Sequence, residues 1–192
     1  MAFFCLENAI NLQELSFYDT DFSDDNQAGL MPGGIDSLIQ LLRNPLNRLK
    51  KLRLSNVGLE DQHLMALSEH LPTCQIKYFD FAENLIQLEG MMEFILQLPR
   101  MHSLKRVFFQ LNLWQESESA RNTVGDALLQ HFMENPYLEC IDVLDRFPQA
   151  PFLWHYLVLN RAGRRLWTLS HPIPDGLWSR VLERAGDHKT YT

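Results

Sequence analysis

LKKLRLSNVGL (residues 49–59) and IKYFDFAENLI (residues 76–86) decide the fold. Leu49, Leu52, Leu54, Val57 and Leu59 in the first stand where Ile76, Phe79, Phe81, Asn84 and Ile86 stand in the second. Apolar alternation through the fourth and sixth positions describes a short strand with one buried side. Working outward, the same spacing recurs in LQELSFYDTDF (12–22) and LKRVFFQLNLW (104–114). A last copy, LECIDVLDRFP (138–148), keeps Leu138, Ile141 and Val143 and then decays. One such segment would be weak evidence; several in order point to an internal repeat.

The stretches between these segments carry helical spacing. Ile35, Leu38, Leu41 and Leu42 follow the first, and Leu64, Leu67 and Leu71 the second. Leu88, Met91, Met92, Ile95 and Leu98 follow the third, and Val124, Leu128 and Phe132 the fourth. Steps of three and four put each set on one helical face. Asn44-Pro45, Leu71-Pro72, Leu98-Pro99 and Asn135-Pro136 end the helices and favour extended backbone before each return. Units therefore start near residues 12, 49, 76, 104 and 138. The expected architecture is an α/β solenoid over residues 1–150, a horseshoe segment with parallel strands on its concave side and helices on its convex side. No unit can bury its strand face and helix stripe alone, so neighbours must stack. Residues 151–192 are expected to be a C-terminal helical capping segment.

The pattern L-x-x-L-x-L-x-x-N-x-L over roughly residues 10–147 resembles the leucine-rich-repeat superfamily, and the long helical period is similar to its ribonuclease-inhibitor-like subclass. LNRAGRR (159–165) followed by LWSRVLERA (177–185) also resembles the tails of uncharacterised algal and protist repeat proteins. The resemblance implies a protein-binding scaffold. It also implies that an asparagine or threonine at the ninth position satisfies backbone groups after the strand. Thr20, Asn84 and Asn112 fit that role, and Val57 predicts an interruption in the second unit. The first and fourth units are longer than the others, which predicts rim loops at residues 23–34 and 115–119.

The chain has 192 residues and a net charge of −7, which argues against nucleic acid as the main partner. From Arg146 onward, however, seven lysines and arginines face three acids. No apolar run reaches the ~20 residues of a membrane-spanning helix, and the N-terminus lacks a basic signal-peptide region. Cys5, Cys74 and Cys140 are odd in number and widely spaced, as expected of reduced thiols in an intracellular protein, cytoplasmic or nuclear. Asp19-x-Asp21-x-Ser23 lacks the glycine and glutamate of a calcium loop. The glycines of GLMPGG (29–34) lack the following Lys-Ser/Thr of a phosphate loop. No histidine–cysteine cluster has zinc spacing. The expectation is a non-enzyme with no catalytic residue, no cofactor and no metal.

Alternate strand positions should point away from the core and align across units. Glu14, Lys51, Tyr78, Arg106 and Cys140 make one row, and Ser16, Arg53, Asp80, Phe108 and Asp142 the next. Lys51, Arg53, Tyr78, Asp80, Arg106, Phe108 and Gln110 are the expected protein-binding residues, since arginine and aromatic side chains at the centre of a patch commonly anchor interfaces. The partner expected is another protein, through an acidic or amphipathic segment. The alternatives are a recognition fragment of a larger multidomain regulator, or binding of RNA or anionic lipid by the basic tail. Self-association through the thinly capped N-terminal end and coverage of the strand face by the C-terminal segment also stand open.

Overall fold

A computed structural model of the chain describes residues 11–18, 34–110, 112, 117–142, 147–163, 179 and 183. Strands and helices alternate throughout. They are β1 (Glu14–Tyr18), α1 (Gly34–Arg43), β2 (Lys51–Ser55), α2 (Asp61–Ser68), β3 (Tyr78–Asp80), α3 (Leu88–Gln97), β4 (Arg106–Phe108), α4 (Glu118–Glu134), β5 (Cys140–Ile141) and α5 (Ala150–Arg161). The strands form one parallel sheet in the order β1-β2-β3-β4-β5. Parallel neighbours need a crossover, and α1 to α4 lie in the four connections.

Register follows the repeat. Lys51 pairs with Tyr78, Tyr78 with Arg106 and Arg106 with Cys140, while Leu52, Phe79, Val107 and Ile141 line up beside them. A slip of one residue would turn every apolar side chain to the other face. Leu52, Leu54, Phe79, Phe81 and Val107 are fully buried, in one core with Leu38, Leu41, Leu64, Leu67, Met91, Ile95, Val124 and Leu128 from the helices. Phe81 sits at its centre, its ring 4.9 Å from Phe79, 5.1 Å from Phe94 and 5.9 Å from Phe109. Burying one such ring stabilises the fold by roughly 2–3 kcal/mol. The helix layer covers this side of the sheet, and on the other side the outward residues of β2, β3 and β4 are half-buried.

Close packing of successive helices has a specific device at α3. A Cβ on Gly90 would lie 2.7 Å from the Cα of Asp61, so only glycine lets α3 approach the start of α2. The Asp61 carboxylate in turn accepts from the Gln87 backbone N–H at 2.6 Å, just ahead of α3.

The turns after the strands are tied by asparagines. Asn84 accepts from the N–H groups of Val57 and Leu59, both at 3.0 Å. Its amide donates to the carbonyls of Leu54, Phe81 and Ala82. Asn112 repeats the arrangement one unit later, accepting from Asn84 N–H at 2.8 Å and donating to Phe81 O at 2.8 Å. Each asparagine thus reaches into the unit before its own. Val57, at the same position of the second unit, is buried and carries no group for such a tie, and the turn it would reach, that of the first unit, lies outside the described residues. The turn at Val57 is tight, with Asn56 at φ 51° and Gly58 at φ 71°.

Of the rim loop expected in the fourth unit, residues 115–116 lie outside the described residues, and the rest lead into a helix. Ser117 caps α4 by accepting from Ala120 N–H at 3.1 Å, and Glu118 and Ser119 already belong to that 17-residue helix. Residues 23–33 of the first expected rim loop, and Thr20, lie outside the described residues.

Candidate protein-binding face

The solvent side of the sheet gathers the sequence-expected residues into two rows. Arg53 lies at its centre. Its guanidinium is 4.9 Å from the centre of the Tyr78 ring and 5.8 Å from that of Tyr18, and it donates a hydrogen bond to the Tyr18 hydroxyl. Tyr78 stacks on Phe108 with ring centres 4.9 Å apart and planes 25° apart. Tyr18, Arg53, Tyr78 and Phe108 therefore form a continuous aromatic–cation–aromatic stack from β1 to β4. Lys51 adds a second cation, its ammonium 5.3 Å from the Tyr78 ring and 2.7 Å from Glu14. These contacts hold long side chains in place before any partner arrives, which lowers the entropy cost of binding.

The electrostatics follow from these contacts. The hydrogen bond from Arg53 lowers the Tyr18 hydroxyl's pKa, while burial raises that of Tyr78. Glu14 is held below its usual carboxylate range by the bond from Lys51.

Not every expected residue is available to a partner. Asp80 is engaged locally: its carboxylate accepts from Ala82 N–H at 3.2 Å and from the Tyr78 hydroxyl at 3.4 Å. Gln110 is exposed at the rim, but its backbone is fixed, its N–H donating to Asp142 at 3.0 Å and its carbonyl accepting from Glu83 N–H at 2.8 Å. Arg106 and Phe108 are half-buried in the sheet's fourth strand. Phe108 is thus partly sheltered by Tyr78 rather than freely exposed. Cys140, aligned with Arg106, is only 6% exposed, and burial raises its thiol's pKa.

Three residues that the sequence placed in the outward rows or at the patch, but not among the expected binding residues, also take part. Tyr18 is 49% exposed and makes the outer end of the stack. Lys105 pairs with Glu139 across neighbouring units, two residues that share the second position of their segments. Asp142 is pinned by the N–H groups of Phe109 and Gln110, and burial raises its carboxyl's pKa. Tyr18 and Asp142 occupy repeat positions seven and five, so the alignment carried a signal for both.

Among the described residues no group of three histidine, cysteine or acidic side chains could hold a metal ion, and no helix is long and apolar enough to cross a membrane.

No protein-family model matches the chain, and no curated protein sequence matches it. Solved structures do. The fold is similar to a tropomodulin C-terminal domain from Caenorhabditis elegans, with a TM-score of 0.67 at 15% identity, covering 89% of this chain and 100% of that one. It is also similar to leiomodin-1 actin-binding site 2, with a TM-score of 0.64 at 15% identity, covering 86% of this chain and 90% of that one. These neighbours overturn the resemblance drawn from the sequence. These two neighbours are tropomodulin and leiomodin domains, not ribonuclease-inhibitor-like leucine-rich-repeat proteins or algal and protist repeat proteins. The physical reason lies in what the period reports. A spacing near Leu49–Ile76–Leu104 records only one strand plus one helix, whereas helices of 10, 8, 10 and 17 residues make the units too unequal for a regular subclass.

Proposed function

We propose that this chain is a non-catalytic protein-binding module whose partner is actin, held on the solvent side of the sheet. The observation that carries the reading is the stack of Tyr18, Arg53, Tyr78 and Phe108, an organised aromatic and cationic surface on four adjacent strands. The likeness to a domain titled an actin-binding site supports the choice of partner. In this reading residues 1–150 stack as a curved solenoid with the sheet concave and the helices convex, and residues 151–192 close its C-terminal end. Lys51, Arg53, Arg106 and Phe108 contact an acidic or amphipathic segment of the partner, and Gln110 orients it from the rim. The free thiols of Cys74 and Cys140 suit an intracellular setting.

The test is binding of the full chain to actin filaments by co-sedimentation and to actin monomers by titration. The Arg106→Ala/Phe108→Ala variant runs beside the wild type. Truncating interface anchors typically costs ~2 kcal/mol each, so the variant should bind at least tenfold more weakly while circular dichroism shows it still folded. A wild type that binds neither form of actin would refute the partner; equal binding by the variant would refute the face.

A further inference from the structure

The edge at which the strands begin is built by one backbone contact repeated. Lys50 N–H donates to Gln13 O at 2.8 Å, Lys77 N–H to Lys50 O at 2.8 Å, Lys105 N–H to Lys77 O at 2.9 Å and Glu139 N–H to Lys105 O at 2.7 Å. These residues hold the second position of their segments, so they stand side by side, about 4.8 Å apart as neighbouring strands are. Three lysines therefore fill the middle of the row, with Gln13 and Glu139 at its ends. The third-position row is arranged alike: Lys51 and Arg106 flank Tyr78, and Glu14 stands at the β1 end. Across the three middle units neither row carries an acid. Asp80, two positions further on, is held by Ala82 N–H and the Tyr78 hydroxyl.

Like charges directly opposite each other on neighbouring strands are destabilising. The side chains show how the row meets this. The Lys50 ammonium lies 3.4 Å from Gln13 Oε1, and the Lys105 ammonium pairs with Glu139. Each outer lysine thus reaches the neighbour on the far side from Lys77. Lys51 does the same toward Glu14, 2.7 Å away. Lys77 is exposed and stands between two lysines, and among the described residues its side chain makes no hydrogen bond or ion pair. Its charge is set against its neighbours and serves no contact of the fold, which suits the row to a partner that brings negative charge.

The spacing selects the kind of partner. Three positions one strand apart span ~10 Å. An α-helix rises 1.5 Å per residue, so acids at i, i+4 and i+7 share one face and span ~10.5 Å. Same-side residues of an extended chain are ~6.7 Å apart, so three of them span ~13 Å and fall out of step. A helix lying across the strands therefore matches one acid to each lysine. Its adjoining side would meet Tyr78 and Phe108, stacked with ring centres 4.9 Å apart, and apolar anchors of this kind are a usual grip on an amphipathic helix.

We propose that Lys50, Lys77 and Lys105 are a docking row for an acidic amphipathic helix of the partner, which lies across the strands with one carboxylate on each lysine and its apolar side on Tyr78 and Phe108. This rests on the reading of the sheet face as a protein-binding surface, and not on actin being the partner.

Two synthetic helical peptides of one composition test it. One carries glutamates at i, i+4 and i+7 with leucines on the adjoining side; the other has the same residues spread around the helix. Titrated with the full chain at low salt and followed by fluorescence anisotropy, the first should bind at least tenfold more tightly. Lys77→Gln should weaken that binding about threefold, the scale of one exposed ion pair. The triple variant Lys50→Gln/Lys77→Gln/Lys105→Gln should weaken it more than tenfold. Lys77→Gln should also melt no lower than the wild type at low salt, because it removes repulsion rather than a contact. Equal binding of the two peptides, an unchanged affinity in the triple variant, or a lower melting temperature for Lys77→Gln would overturn the docking row. Capture of the wild type by phosphatidylserine-rich vesicles, with neither peptide bound, would overturn it in favour of a lipid surface. Actin takes no part in these titrations. Actin binding without peptide binding would refute the helix and leave the partner standing; peptide binding without actin binding would do the reverse.

Discussion

Replacing Asn84 with alanine removes five hydrogen bonds at once, but the damage is smaller than that count. Phe81 O keeps the amide of Asn112, and Ala82 O keeps the N–H of Asn56. What loses this partner outright is the acceptor for the Val57 and Leu59 N–H groups and the donor to Leu54 O. Each buried polar group left unsatisfied costs ~1–3 kcal/mol. Relaxation and water entry bring the expected total toward the low end of the sum, about 3–5 kcal/mol. Against a typical domain stability of ~5–15 kcal/mol this is a large share. Asn112→Ala is a built-in comparison, because its side chain makes only two of these bonds and Phe81 O retains Asn84; about 1–2 kcal/mol is expected. Urea denaturation followed by circular dichroism measures both. A cost below ~1.5 kcal/mol for Asn84→Ala, or an equal cost for Asn112→Ala, would refute the hydrogen-bond accounting.

Other outcomes follow from single features. Gly90→Ala gains ~1 kcal/mol of helix propensity but forces a Cβ to 2.7 Å from Asp61 Cα; the net should be a loss of stability, and a higher melting temperature would contradict the close approach of α2 and α3. Burial pushes the Cys74 thiol up to about 11, leaving about a thousandth as thiolate at pH 8. Iodoacetamide should therefore leave Cys74 unmodified in the folded chain, and rapid labelling would contradict the packing. For Asp142 burial raises the folded pKa above the ordinary aspartate value of 3.8. The folded state then holds its proton more tightly than the unfolded one, so this group's contribution is full below 3.8 and is lost as pH rises through the folded value. Asp142→Asn should remove that decline from a stability–pH curve, and an unchanged slope would assign the decline to other groups.

The repeat was legible because strand and helix units obey two different periods, and Leu52, Phe79 and Val107 could be aligned without knowing their neighbours. The aligned rows then placed Lys51, Tyr78 and Arg106 side by side, as the sheet does. What the sequence could not supply was how side chains spend their polar groups. Asp80 looked available and is bonded to its own strand and turn. Arg53 was expected as one cation among several, and it becomes the centre because two tyrosines from neighbouring strands flank it. The side chain that ties the turn at Val57 could not be read from that turn's own residues, because it is Asn84, a full unit away in the chain. The subclass assignment failed for a related reason: spacing reports the length of a unit and is silent on how unequal its helices will be.

The asparagine ties also give the chain a direction. Because Asn84 completes the turn of the unit before it, and Asn112 does the same one unit later, cutting from the C-terminal side removes the side chain that ties the last remaining turn. During synthesis the turn after β2 must wait until Asn84 has been added and the third strand has docked. Growth from the N-terminus therefore leaves the turn after β2, and then the turn after β3, unfinished until the ribosome has released the segment that follows.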